Sequence, residues 1–483
     1  MKILILNLPG RVLKSGSRWY NVINFSPARM RYYPYPWFMG YATSLLKANG
    51  FTTKLIDALA MELDEDETLQ QIDEFAPTHI VCEPTWASKS EDRAFLDRID
   101  PSVQIIAVGN YATNYPRQCV ESTGADVVAV GEYEFALLDY LKFGCRTLPP
   151  SFISEEKPDY VMPELVEDLD LFPFPERDDV PFECYNEPSC YGRNIVMVSS
   201  RGCRLRCSFC NVESLYGRHM YRKRSPKNIV DEIVDLQKRF DFDEIYFDDD
   251  NMVANKRHID GVCHEIIRRD VNIRWLCMGD GLVDDETLDL LAQAGCVTYK
   301  FGLEHLDKSV LASIPKPYNP KRLLELIRRC RELGMRSYVN LMIGLPGSTF
   351  EKDLDMVRRV IDANPDLMQF SIATPYPGTP FFEKAKEMGW LRGDDPVLFD
   401  ATGSAAVSYP EYSSEKIEKM FHFGWNLWYR HLLTRKWDTL FFFLRSEIRR
   451  HGVWVVFKKI IYYLIKILSF RLKLRKPEGE CER

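Results

Sequence analysis

The sequence predicts an α/β protein in which two parallel-sheet units are followed by a helical region. Two observations carry that class. Short apolar runs alternate with helical patterns twice, over residues 1–148 and again over 189–385, and such alternation builds parallel sheets with helices packed on their faces. The alternation then stops, and residues 386–483 read as helical and rich in aromatic and basic side chains. A length of 483 residues suits two or three domains, and 46% hydrophobic with 28% charged residues is ordinary for a soluble globular chain.

In the first unit, strands are expected at 2–6, 53–56, 79–82, 104–108 and 126–130, with helices at 36–49, 65–75 and 89–99. Gly50 suits the end of the first helix. The pattern is that of a doubly wound sheet, whose ligands sit beyond the carboxyl ends of the strands. The loops at those ends are Asn7-Leu8-Pro9-Gly10 running on to Trp19, Glu83-Pro84-Thr85-Trp86, Gly109 to Thr113, and Gly131-Glu132-Tyr133-Glu134. Glycine there lets a backbone approach a large ligand, although tight turns alone would also use it. Residues 149–188, rich in Pro, Asp and Glu, read as an ordered connector, unlike a Gly/Ser tether.

In the second unit, strands are expected at 194–198, 244–247, 274–278, 298–302, 337–343 and 367–372. Helices fall between them at 226–240, 255–269, 285–294, 320–333 and 350–363. Six β/α units suit a partial barrel, with its site on the loops at the strands' carboxyl ends.

The loop after the first of these strands reads Arg-Gly-Cys-Arg-Leu-Arg-Cys-Ser-Phe-Cys (201–210). Cys203, Cys207 and Cys210 stand four and three apart, close enough to share one metal cluster. Three ligands leave one iron of a [4Fe–4S] cubane open to a substrate. Zinc sites ordinarily take four ligands from paired motifs, and no matching Cys or His follows; a disulfide framework needs a denser, even cysteine set. The spacing, with Phe209 before the last cysteine, resembles the radical S-adenosylmethionine (SAM) enzymes. In that family the open iron chelates the amino and carboxylate groups of SAM, and an electron from the cluster cleaves SAM to a 5′-deoxyadenosyl radical.

The later loops resemble the same family in order and placement. Asp248-Asp249-Asp250-Asn251 follows the second strand; the resemblance assigns Asp248 and Asp249 to the methionyl amino group, against a plain solvated turn. Gly302-Leu303-Glu304-His305 follows the fourth, and the resemblance places Glu304 on the SAM ribose hydroxyls; no catalytic role is read for His305. Gly344-Leu345-Pro346-Gly347, with Glu351, follows the fifth, so Gly344, Pro346 and Gly347 are expected near adenine. Tyr376-Pro377-Gly378-Thr379-Pro380 follows the sixth and would help wall that site.

The first unit, directly preceding this motif, looks like the cobalamin-binding domain of B12-dependent radical SAM enzymes. The run at 35–42 and the Gly-Glu-x-Glu turn match that family's habits. The Asp-x-His-x-x-Gly motif that ligates cobalt elsewhere is absent, and His79 lies at the start of a strand, so cobalt would lack a histidine ligand. The resemblance points to Gly109, Thr113, Gly131 and Glu132 for cobalamin, with Trp86 covering its lower face.

Net charge is −7, but twelve Lys/Arg against two acids make residues 435–476 +10, which leaves −17 on the remainder. A basic tail carrying aromatic and aliphatic blocks (440–444, 453–457, 460–465) suits peripheral contact with a membrane interface, the alternative being a helical cap on the barrel. Nucleic acid is not expected, since the aromatic residues sit in dense apolar blocks. No signal peptide or spanning helix is read, and thirteen scattered cysteines suit a reducing cytoplasm, at most at the inner face of a membrane.

The resulting expectation is a radical SAM enzyme that uses a [4Fe–4S] cluster, SAM and cobalamin to methylate an unactivated carbon of a small molecule, lipids and isoprenoids included. An external donor such as flavodoxin or ferredoxin would supply the electron. The alternatives are a cyclase or rearranging enzyme of tetrapyrrole or hopanoid synthesis, a methylthiotransferase, and a membrane-tethered electron-transfer protein.

Overall fold

A computed structural model describes residues 1–10, 33–316, 318–393, 396–399, 401, 403–454 and 456. The loop at 11–32, including Ser17, Arg18 and Trp19, and the apolar block at 460–465 lie outside the described residues.

The first unit is a six-stranded sheet: β1 (Lys2–Asn7), β2 (Thr52–Asp57), β3 (His79–Cys82), β4 (Gln104–Ala107), β5 (Val127–Ala129) and β6 (Phe152–Ile153). Its order is 2-1-3-4-5-6, parallel except for the last pair. Its helices are α1 (Trp37–Ala48), α2 (Glu65–Phe75), α3 (Lys89–Leu96), α4 (Gly109–Asn114), α5 (Pro116–Thr123) and α6 (Glu134–Lys142). Each strand buries nearly every residue, as a sheet covered on both faces must. The order reverses between β1 and β3, where such a sheet opens a crevice for a ligand. β6 falls in the stretch read as connector; two residues of edge strand carry too little pattern to be seen.

The second unit is a curled parallel sheet of β7 (Asn194–Met197), β10 (Glu244–Phe247), β11 (Trp275–Gly279), β12 (Cys296–Glu304), β13 (Arg336–Ile343) and β14 (Leu367–Ile372), paired in that sequence. Between β7 and β10 a short antiparallel ribbon, β8 (Ser200–Gly202) with β9 (Tyr221–Lys223), flanks the cysteine loop. The helices here are α7 (Val212–Tyr216), α8 (Pro226–Arg239), α9 (Lys256–Arg268), α10 (Asp285–Gln293), α11 (Lys308–Leu311), α12 (Pro320–Glu332), α13 (Phe350–Asp362) and α14 (Pro380–Glu387). α8, α9, α10 and α13 each start at a Ser, Asn, Asp or Thr whose side chain accepts a hydrogen bond from the first turn.

The two faces of this sheet have different partners. Ile245, Phe247, Trp275, Tyr299, Phe301 and Val339 pack under the helices. Val196, Val198, Tyr246 and Leu276 instead share a core with Trp37, Phe38 and Tyr41 of α1, so the first unit covers part of the concave face. Helices α15 (Ser414–Arg435) and α16 (Trp437–His451) follow. α15 buries Ile417, Met420, Phe421 and Trp428 against the barrel, and α16 reaches the barrel's base, where Arg450 donates to the Glu187 and Gly192 carbonyls. Among the described residues, no helix is long and apolar enough to cross a membrane.

Candidate active site

The cysteine loop leaves β8 and returns through α7 and β9, so the ribbon fixes both of its ends. Cys203, Cys207 and Cys210 are half-buried. The Leu205 amide (3.4 Å) and the Asn251 side-chain amide (3.7 Å) both donate to Cys203 Sγ. Burial pushes all three thiols up, Cys207 to about 12. Desolvated thiols of this kind ionise only against a strong positive charge, which an iron cluster supplies, and N–H donors to sulfur are a usual tuning device for such clusters. Among the described residues no three ligating side chains converge on a single ion. In a cubane each thiolate holds a different iron, so three cysteines on one loop need not meet at a single point.

The acidic turn after β10 supports this loop. Asp249 is fully buried and accepts from the Ser199 amide (3.0 Å), the Ser199 hydroxyl (2.7 Å) and the Ser200 hydroxyl. Burial raises its carboxyl to about 6. Asp250 accepts from the Gly202 amide at 2.8 Å, and Asn251 bridges Cys203 to Asp280 (2.7 Å). Asp248 is half-buried beside them, its amide donating to Met197 O. The structure therefore brings Asp248 and Asp249 to the cysteine loop, with the Asp249 carboxylate turned into the β7–β8 turn.

Glu304 ends β12 at φ 61°, in the left-handed region that a glutamate rarely adopts. The register between β12 and β13 shifts between Gly302 and Glu304, which swings the carboxylate over Gly302; a methyl group on Gly302 would collide with it. Lys316, its side chain 7% exposed, donates to Glu304 at 2.5 Å and lies 4.9 Å from the Tyr318 ring. Its ammonium is held well above its ordinary value: burial opposes the charge, and the Glu304 carboxylate outweighs that. Lys316 stands in no motif, and nothing in the sequence separates it from a surface lysine.

The loop after β13 is tied down at Gly344, whose amide donates to Asp353 at 2.9 Å and whose carbonyl accepts from Tyr409 at 2.9 Å. Gly344 and Gly347 both have positive φ, and a Cβ on Gly347 would meet only the Ser309 carbonyl, at 3.9 Å. Asp353 also accepts from Ser348 (2.5 Å), Tyr412 (2.8 Å) and His305 Nε2 (3.1 Å). The Asp307 amide donates to His305 Nδ1, which leaves Nε2 as the ring nitrogen facing Asp353. His305 thus ties two barrel loops together, and Glu351 is exposed.

The sixth loop crosses to the first unit. Gly378, at φ 81°, lies against Asn114 of α4 and Ser214 of α7, and the Phe381 amide donates to the Ser208 carbonyl inside the cysteine loop. Arg201, two residues before Cys203, makes the opposite crossing. It is buried among the rings of Trp37, Phe38, Tyr41 and Phe172 (4.4–5.3 Å) and paired with Glu132 and Glu134, both at 2.9 Å. Glu132 also pairs with Arg222 at 2.5 Å. Burial alone would raise the Glu132 carboxyl, but Arg201 and Arg222 overcome it and hold it low; Glu134 is pushed up to about 7 by burial.

At the strand ends of the first unit, Thr113 donates to the Gly109 carbonyl (2.8 Å) and accepts from the Gly131 amide (3.0 Å). Gly109 has Glu83 over it and Gly131 has Met162 and Pro163. The half-buried ring of Trp86 lies 5.1 Å from Phe399 and 6.0 Å from Tyr115. His79 sits at the opposite edge of the sheet, between Thr78 and Cys145. The five residues expected near cobalamin share one edge of the sheet, and that edge faces the cysteine loop.

Comparison with known proteins bears on the family and the fold. Residues 197–377 match the radical SAM superfamily. Cytidylyl-2-hydroxyethylphosphonate methyltransferase from Streptomyces wedmorensis is 25% identical over 466 residues, covering 81% of this chain and 86% of that protein. The anaerobic magnesium-protoporphyrin IX monomethyl ester cyclase of Rubrivivax gelatinosus is 24% identical over 384 residues, covering 76% and 67%. The radical S-adenosylmethionine methyltransferase TsrM from Kitasatospora setae, solved with cobalamin and a [4Fe–4S] cluster bound, superposes with a TM-score of 0.66 at 21% identity, covering 82% of this chain and 76% of that one.

Proposed function

Residues 197–377 form a radical SAM domain, and from that premise we propose that the chain is a cobalamin-dependent radical SAM C-methyltransferase. The observation that carries the reading is the apposition of two strand-end edges. α4, which leaves the end of β4, packs on α7, which leaves Cys210, and Gly378 of the sixth barrel loop lies against the same α4. Ligands held at these two edges would face each other across the cysteine loop.

When bound, the cluster supplies the electron that cleaves SAM, and methylcobalamin supplies the methyl group. The chain's own residues hold and shield. Cys203, Cys207 and Cys210 would hold the cluster, and the SAM site would lie beside it. Asp248 accepts from the SAM amino group, while Asp249 fixes the Ser199–Ser200 turn from which the cysteine loop starts. Glu304, pre-aimed by its bulge, accepts from the ribose hydroxyls. Gly344, Pro346 and Gly347 wall the adenine. Gly109, Thr113, Gly131 and Trp86 shape the cobalamin edge, and Glu132 keeps that edge docked through Arg201 and Arg222. A one-electron donor of flavodoxin or ferredoxin type completes the reaction. The similarity to the phosphonate methyltransferase, extending over most of both chains, favours methylation over cyclisation.

The test is anaerobic reconstitution with iron, sulfide and methylcobalamin, followed by reductant and methyl-labelled SAM. Bound cobalamin, 5′-deoxyadenosine and S-adenosylhomocysteine are expected, and replacing Cys203, Cys207 and Cys210 with Ala abolishes both products. Formation of 5′-deoxyadenosine by protein that retains no cobalamin would overturn methylation in favour of a cyclase-type reaction.

A second observation bears on where the substrate is met. Tyr429, Leu433, Trp437, Phe441 and Trp454 are 52–77% exposed on α15, α16 and the turn beyond. We propose that this aromatic, basic face rests on anionic lipid and presents a lipid or isoprenoid substrate. Cosedimentation with phosphatidylglycerol vesicles should fall at least severalfold in Trp437→Glu/Phe441→Glu; unchanged cosedimentation would sink the idea.

A further inference from the structure

Lys300 lies inside β12, four residues and about 13 Å before Glu304 along the strand. Its neighbours Tyr299 and Phe301 belong to the core under the helices, so Lys300 points the other way, into the concave face of the barrel. There its ammonium lies 5.6 Å from the Tyr246 ring and 4.6 Å from the Tyr338 ring. The residue is 7% exposed. Among the described residues it makes no hydrogen bond and no ion pair.

The carboxylates around it are engaged elsewhere. Glu244, at the barrel's base, is paired with Arg274 (3.1 Å) and Arg336 (3.2 Å). Glu187 accepts from the Ser189 amide and hydroxyl. Glu304, above, is taken by Lys316. A buried ammonium without an anion is costly, and two tyrosine faces offset only part of that cost. The space beside it is not packed shut. Tyr338 and Asn340 of β13, Gln369 and Ser371 of β14 and Gly302 of β12 alternate with buried neighbours and are each half-buried on this concave side. Asn340 Oδ1 also has no hydrogen-bond partner. The concave face is therefore lined by polar side chains, with a lone cation among them.

We propose that Lys300 anchors an anionic group of the substrate, a carboxylate, phosphonate or phosphate, so that the methyl acceptor is an acid held by its charged end deep in the barrel. This rests on the radical SAM reading above and narrows its substrate class. The depth of Lys300 below Glu304 assigns the anion to the substrate. The carboxylate of SAM is the other source of the same chemistry, and the experiment separates the two.

The full-length protein, reconstituted with its cluster, would be titrated with benzoate, phenylphosphonate and the neutral benzyl alcohol by saturation-transfer NMR, and separately with SAM by calorimetry. The acids are expected to bind at least tenfold more tightly than the alcohol. Lys300→Met should erase that preference with SAM affinity unchanged, and Lys300→Arg should keep it. Equal binding of acids and alcohol by the wild type, or a preference that survives in Lys300→Met, overturns the proposal. So does a Lys300→Met variant that loses SAM affinity and keeps the acid preference, because the anion would then be that of SAM. Loss of the preference in both variants would mark a disturbed barrel and also count against it. The probe titration needs no turnover, so absence of SAM cleavage by the wild type would sink the functional reading without deciding this one.

Discussion

The two sheets present the same kind of edge, the carboxyl ends of parallel strands, and use it differently. On the barrel, three desolvated thiols and Glu304, held at φ 61° against Lys316, stand at that edge. On the first sheet, the corresponding groups are engaged by the protein itself. Thr113 is satisfied by Gly109 and Gly131, Glu132 by Arg201 and Arg222, and Asp57 by Asn7 and Tyr185. One edge gathers thiols and a pre-aimed carboxylate for ligands, and the other uses its charges to dock onto its neighbour. A motif in the first case names a ligand, whereas in the second it also names an interface.

The largest effect should come from breaking the docking. Arg201→Met leaves Glu132 and Glu134 buried without their shared partner, and breaking a buried pair of this kind costs about 3–5 kcal/mol. Denaturant melts should show that loss, and adding Glu134→Gln should recover part of it. A change under about 1 kcal/mol would mean that the first sheet's acidic turn is not engaged by the barrel, and the comparison fails there. Next comes a change at the barrel edge. Gly302→Ala places a methyl group where the Glu304 carboxylate lies, so the carboxylate must leave its bulge-set position. Losing hydrogen bonds to a charged group is worth about 1.5–3 kcal/mol, so SAM should bind about 10- to 100-fold more weakly by calorimetry, with little change in melting temperature. Unaltered SAM affinity would show that Glu304 is not a pre-aimed ligand.

How much of this was legible in the sequence depended on whether the signal was local. The three cysteines and six alternating strands are local patterns, and the strands fell within one or two residues of their expected positions. The α/β class and the partial barrel follow from them. The ribbon of β8 and β9 was missed because three-residue strands carry no periodicity. Lys316, Arg201 and Asp353 were missed for another reason. Each acquires its role from a partner far along the chain, at Glu304, Glu132 and His305, and a single sequence does not display such pairings. The Gly-Glu-x-Glu turn was legible as a motif, but its engagement by Arg201 required the second unit to be in place.

The smallest and sharpest contrast lies between two aspartates at strand ends, Asp57 after β2 and Asp249 after β10. Burial raises both to about 6. For such a group the folded state holds its proton more tightly than the unfolded chain, whose carboxyl titrates near 3.9. Its stabilising contribution is therefore complete below about pH 4 and lost as pH rises through about 6. Asp57→Asn removes that titration while keeping an oxygen for Asn7 and Ala60. Its melting temperature relative to wild type should then be higher at pH 8 than at pH 4.5, by an amount equivalent to at most about 3 kcal/mol. Asp249→Asn should lack this gain, because both Asp249 oxygens accept from the Ser199–Ser200 turn and an amide would set a donor against a donor. If the two variants behave alike across pH, the carboxylates are equivalent buried acids and the barrel edge has no special demand for charge; if only Asp57→Asn gains, Asp249 is kept ionisable to hold the cysteine loop.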